Sequence, residues 1–208
     1  MKKKKLVERY KRQSGMADDL NVHGWHSRAY HRHFEGYTEI ERIDEKGHAR
    51  IERVYTGVRY TPDIPPRRLT GLKLLYILLW LSACAAAILA GTREIAANHR
   101  WFVALVQFLL FGGLLWEAVG LFNFLTSPHS RTVGDYKSSH DTLIRSTLAT
   151  GGAFILCFLL NVLCLFLDAS QLGPQLLALG LYLLGAVLTA VLNRLESNLP
   201  YTETASES

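Results

Sequence analysis

Cysteine is scarce: only Cys84, Cys157 and Cys164 occur in 208 residues, each inside an apolar run. They read as small packing residues, and they leave no disulfide frame and no thiolate metal site. Catalytic fingerprints are missing as well. There is no P-loop, no dinucleotide-binding glycine motif, no His-Glu-x-x-His and no nucleophile elbow. Accordingly no cofactor is expected, and the pattern points away from an enzyme. A signal-peptide core is lacking too, because only Leu6 and Val7 are apolar before charge resumes. The first spanning helix is expected to serve as the insertion signal.

Charge is also lacking, but only beyond residue 71. Residues 1–71 hold 16 of the 23 Lys and Arg and 10 of the 18 Asp and Glu, a net of +6, while the remainder carries −1. That remainder contains four apolar runs, at about 72–90, 101–125, 147–167 and 175–192. Each reaches the 18 or so residues needed to cross about 30 Å of hydrocarbon. A soluble bundle would show polar stripes at helical spacing. "LLYILLWLSACAAAILAG" and "GGAFILCFLLNVLCLFL" are apolar all round. The fold expected is an all-α membrane protein with four transmembrane helices in a bundle (72–194). A cytosolic N-terminal segment (1–71) containing a β-hairpin precedes it, and a short polar tail (195–208) follows.

Orientation follows from the basic residues near helix ends. Arg59, Arg67, Arg68, Lys73, Arg131, Lys137, Arg145 and Arg194 fall on one side, and only Arg93 and Arg100 on the other. Both termini are therefore expected in the cytosol of a multi-pass cell-membrane protein. The loops outside, 91–100 and 168–174, are too short to bind a large extracellular ligand.

The N-terminal segment begins with a basic run. Lys2, Lys3, Lys4, Lys5 and Arg9 could lie against an anionic leaflet, each contributing on the order of 1 kcal/mol. Further on, His23, His26, His31 and His33 cluster with Trp25, Tyr30 and Phe34. The histidines are weak metal candidates, since a tetrahedral site usually adds Cys or carboxylate. The cluster suits the headgroup layer, with Trp25 a membrane-surface or partner contact. A single short basic run is no nucleic-acid module. The partners expected are the lipid bilayer and another membrane or cytosolic protein, or a second copy of the chain.

Residues 37–60 alternate β-branched or aromatic with charged side chains around "DEKG", a turn sequence. This predicts a hairpin. One register pairs Ile40 with Val54 and Ile43 with Ile51, and sets Glu41 opposite Arg53 and Arg42 opposite Glu52. "TPDIPPRR" (61–68) is expected to end the strand as a Pro-rich linker.

One acid, Glu117, interrupts the second run. Residues 101–122 include 13 Leu, Phe, Val or Ile, worth roughly −4 to −8 kcal/mol on insertion against about +3 for a central acid. Insertion wins, yet the acid needs a reason. Gly113 and Gly120 share its side of the helix and admit a neighbour, so Glu117 is expected to face the bundle. Lys73, Arg145 and Arg194 are its candidate charge partners, with Asn161 as a second polar group in the same site. In the loop 126–141, His129, Asp135, His140 and Asp141 are acid–base types without a matching nucleophile. Ser138 and Asp141 are expected to cap the third span. Two functions are compatible with this pattern. The first is a membrane anchor, scaffold or accessory subunit acting through its N-terminal segment. The alternative is a small-solute or ion transporter or channel subunit using Glu117 and Asn161.

Overall fold

The computed structural model describes residues 37–43, 49–167 and 172–205. Lys2, Lys3, Lys4, Lys5, Arg9, Trp25 and the histidines at 23, 26, 31 and 33 lie outside the described residues, as does most of the "DEKG" turn.

Four long helices make up the body: α1 (Pro66–Gly91), α2 (Trp101–Thr126), α4 (Thr142–Leu167) and α5 (Leu172–Ser197). Each is 26 residues long, about 39 Å at 1.5 Å per residue. All four are long and apolar enough to cross a membrane, the third as the continuous run Val133–Leu167. Their outward faces suit hydrocarbon, with Phe108 and Phe166 77% and 84% exposed among many exposed leucines. Local chemistry sets the ends. Pro66 opens α1, where its missing N–H costs nothing. Asn98 stops α1 by donating to the carbonyls of Ala90 and Gly91 at 3.0 and 3.2 Å. Pro128 follows the end of α2.

α1 and α5 extend several residues beyond their apolar runs, and the third span begins earlier than expected. Its cap is also elsewhere. A helical turn α3 (Val133–Tyr136) starts with a capping box of Thr132 and Asp135, not Ser138 and Asp141. A π-helical turn, π1 (Lys137–Asp141), then leads into α4.

In the bundle α4 packs against α2 and α5, and α1 against α5 and, more loosely, α2. Glycines decide the closest approaches. A Cβ on Gly113 would stand 2.9 Å from Thr150 Oγ1, and one on Gly120 3.0 Å from the Leu143 backbone nitrogen. Gly185 is filled by the Phe154 ring. On α1 the buried stripe is Ala83, Ala86, Ala87 and Ala90.

The strands gather at one end of the bundle. β1 (Tyr37–Ile43) pairs antiparallel with β2 (Ala49–Tyr55), in a register two residues from the one laid out above: Val54 faces Thr38 and Ile51 faces Glu41. The ladder is slipped by two residues, which keeps every residue on the same face, so alternation alone could not separate the two registers. Tyr37 and Tyr55 meet edge-to-face at 5.1 Å and close the pair at its base. Residues 58–60, expected within the hairpin, belong to β3 (Val58–Pro62) instead. β3 pairs antiparallel with β4 (Tyr201–Ala205), matching Val58 to Ala205 and Pro62 to Tyr201. Of the tail expected at 195–208, residues 195–197 finish α5 and Tyr201–Ala205 form a strand.

Candidate functional site

Glu117 lies inside the bundle, fully buried, as the glycines on its face predict. Its expected partners do not come to it. Lys73 Nζ donates to the Leu125 carbonyl at 2.8 Å, and Arg145 and Arg194 are exposed. Neither carboxylate oxygen of Glu117 has a hydrogen-bond partner. The hydroxyl facing it is Thr150 Oγ1, itself without a bond and seated against Gly113 one turn away. Asn161 donates to the Cys157 carbonyl at 2.9 Å, and its own carbonyl accepts from Gln175 at 3.2 Å. Eleven residues separate it from Thr150 on α4, about 16 Å along the helix. The structure does not join Glu117 and Asn161 in one site.

The densest polar cluster is elsewhere, at the strand-bearing end. Glu196 in the last turn of α5 is fully buried and receives three donors. His140 Nδ1 stands 2.6 Å from Oε1, Tyr201 OH donates to the same oxygen at 3.2 Å, and Tyr76 OH donates to Oε2 at 3.0 Å. With the carboxylate as acceptor, His140 carries its proton on Nδ1. Arg131, also fully buried, donates from Nη1 to Tyr201 OH at 3.1 Å and to Ser139 Oγ at 3.2 Å. Tyr201 OH thus sits between a buried cation and a buried anion, accepting from one and donating to the other. Burial, reinforced by the Glu196 charge, holds its phenol well above the usual range.

Each part is delivered by a different element. The wide turn of π1 buries Ser139 and His140 together. Arg131 is fixed through its backbone, exchanging two 2.9 Å hydrogen bonds with Tyr60 of β3. Its guanidinium lies over the Phe124 ring at 4.6 Å, which supports Nε and Nη2, two groups with no hydrogen-bond acceptor. Tyr136 stacks between Tyr60 at 4.3 Å and His140 at 4.7 Å, with Tyr201 edge-on. Asp63 N–H donates to the Pro200 carbonyl at 2.9 Å, and Tyr55 OH accepts from Val133 N–H at 3.0 Å. β2, β3, β4 and the bundle are fastened at this one knot.

Sequence reasoning treated Arg131 only as a topology charge and His140 as an isolated acid–base type; it missed Glu196, Tyr76 and Tyr201. One signal was present. An acid in the last turn of a helix opposes the macrodipole, so Glu196 demands a partner. His140 engages Glu196, and no hydrogen bond joins it to Asp135 or Glu117. The hydroxyl of Ser139 donates to the Asp135 carbonyl at 2.6 Å, so it is not poised by the histidine. Among the described residues no three His, Cys, Asp or Glu side chains converge to hold a metal. The cluster is a buried ion pair split by a phenol.

No family model, no curated protein and no solved structure matches the chain.

Proposed function

We propose that this protein is a multi-pass membrane scaffold or accessory subunit that binds a partner protein at its strand-bearing end. The observation that carries the reading is the Arg131–Tyr201–Glu196–His140 knot. It uses three buried polar groups and one half-buried phenol to fix strands that precede α1 and follow α5 to the bundle. Buried ionic networks are costly unless fully arranged, and one use of that cost is to specify a single geometry. A presented surface needs such a geometry, whereas a tail that only enforces topology does not. In this reading the strands face the cytosol, because the basic residues crowd that end. The hairpin β1–β2 and the basic, aromatic segment before it supply the contact with a partner or with the lipid surface.

Deleting residues 1–54 tests the idea while sparing β3 and Tyr55, whose hydroxyl accepts from Val133 N–H. The shortened protein should insert and melt like the full chain yet lose its co-purifying partner. Retention of the partner would sink the proposal. Single cysteines placed at His129 and His99 should be labelled from the cytosolic and external sides respectively, and the reverse pattern would overturn the orientation.

The second reading, a transporter or channel subunit, draws on the unpaired carboxylate of Glu117, since intramembrane acids often mark pathways. It predicts that Glu117→Gln abolishes ion or proton flux in liposomes. Equal flux from the variant would remove it.

A further inference from the structure

A groove of about 470 Å³ opens between the first turns of α1 and the last turns of α5. Its lining is mostly apolar, with Leu72 and Val191 on one side of Arg68 and Arg194 and Ile64 and Leu199 on the other, and Leu195 and Asn198 beside them. α1 and α5 run in opposite directions, which sets Arg68 and Arg194 at a similar level, with Leu72 and Val191 one turn deeper. Both arginines are exposed, and among the described residues neither guanidinium makes a hydrogen bond or an ion pair. Two unneutralised cations thus flank an apolar trough at the level where a spanning helix leaves hydrocarbon. The basic segment at residues 2–12 is a poor occupant, because the arginines would repel it.

We propose that this groove binds an anionic phospholipid, its phosphate held between Arg68 and Arg194 and one acyl chain laid over Leu72 and Val191. Guanidinium forks match phosphate oxygens in bidentate geometry, and basic pockets between spanning helices hold anionic headgroups. Leu72 and Val191 lie one turn from the arginines on the side toward the apolar middle of both helices, the direction a chain must run. The proposal rests on the four helices crossing a membrane, and is independent of what the strands bind.

The test uses the full chain in detergent micelles, titrated with phosphatidylglycerol or with phosphatidylcholine of the same acyl chains, and bound lipid is counted by native mass spectrometry. The native protein should retain one phosphatidylglycerol in roughly ten- to thirtyfold preference, the combined effect of two basic groups at the headgroup layer. Arg68→Gln with Arg194→Gln should erase the preference, while Arg67→Gln, outside the groove, should keep it. Val191→Trp should block the trough and weaken phosphatidylglycerol binding with both arginines intact. The proposal falls if the double variant keeps the preference, if Arg67→Gln removes it equally, or if inorganic phosphate displaces the lipid as well as free lipid does. A dimer in place of bound lipid, dissociated by Val191→Trp, would assign the groove to a second copy and also overturn it. Carbonate extraction of the same membranes separates the two levels. Resistance with no lipid preference defeats the lipid site alone, and release of the native protein defeats the membrane reading with it.

Discussion

Glu196 and Arg131 are the two residues whose loss should be felt most. Truncating Glu196→Ala leaves a buried guanidinium without its counter-charge and three donors without an acceptor. The expected cost is about 3–5 kcal/mol. Glu196→Gln keeps an acceptor oxygen and should cost about 1–2 kcal/mol. The thiols of Cys157 and Cys164 are buried, so the rate of their labelling during heating reports the loosening directly. Equal destabilisation by both variants would show that charge is not what matters at this position. Tyr201 adds a dependence on pH. Its phenol is raised above the usual range by burial and by Glu196, so the folded state favours the protonated form. That contribution is complete below the unfolded value of about 10 and fades as pH rises beyond it. The melting midpoint by circular dichroism should therefore decline above about pH 10, and less steeply in Tyr201→Phe. Glu117 behaves in the opposite way. With no base bonded to it, Glu117→Leu orphans no cation and should leave the midpoint unchanged or higher, contrary to the role of ionic glue that its glycine-flanked setting invites.

At the scale of elements, two glycines on α2, two turns apart, make a paired experiment. A Cβ on Gly120 would lie 3.0–3.4 Å from backbone atoms of Thr142 and Leu143, whereas one on Gly112 meets nothing within 4 Å. Gly120→Ala must push α2 from α4 and should cost about 1–3 kcal/mol, while Gly112→Ala should gain about 0.5–1 kcal/mol from backbone entropy. Unfolding midpoints in detergent decide this, and similar values for the two would refute the tight α2–α4 seam. Such seams were legible in the sequence because they are local: small residues at helical spacing and an acid that must face inward. The spans were legible for the same reason. β4 and the knot were not, because they join residues far apart, Tyr76 to Glu196 across 120 positions, and no local period announces such a bond. The hairpin lies between these cases. Its alternation is plain, yet a slip of two residues conserves that alternation, and the bond from Tyr55 at the end of β2 to Val133, across 78 positions, is announced by no strand pattern.

For the whole molecule, the chain before α1 and the chain after α5 are sewn together, closing the bundle into a ring. The segment 201–208, which composition marks as a polar tail, should therefore be indispensable. Removing it takes away β4 and the phenol between Arg131 and Glu196, and should cost about 2–4 kcal/mol. It should also open β3 to proteolysis near Tyr60. A truncated protein as stable and protease-resistant as the native one would show that the ring is decorative.

The β3–β4 ribbon also has a mechanical consequence. Val58 and Ala205 share one end of the ribbon and Pro62 and Tyr201 the other, so the segments leading outward from β3 and β4 depart from the same end. A load applied through those segments peels the pairs apart one at a time, starting at Val58–Ala205, rather than shearing all of them at once. Tyr201 is in the last pair to part, and the bridge from Tyr60 to Arg131 takes up tension before it. The ribbon is thus a fuse, its outer pairs yielding at low force before the load reaches the Tyr60–Arg131 bridge and the helices behind it.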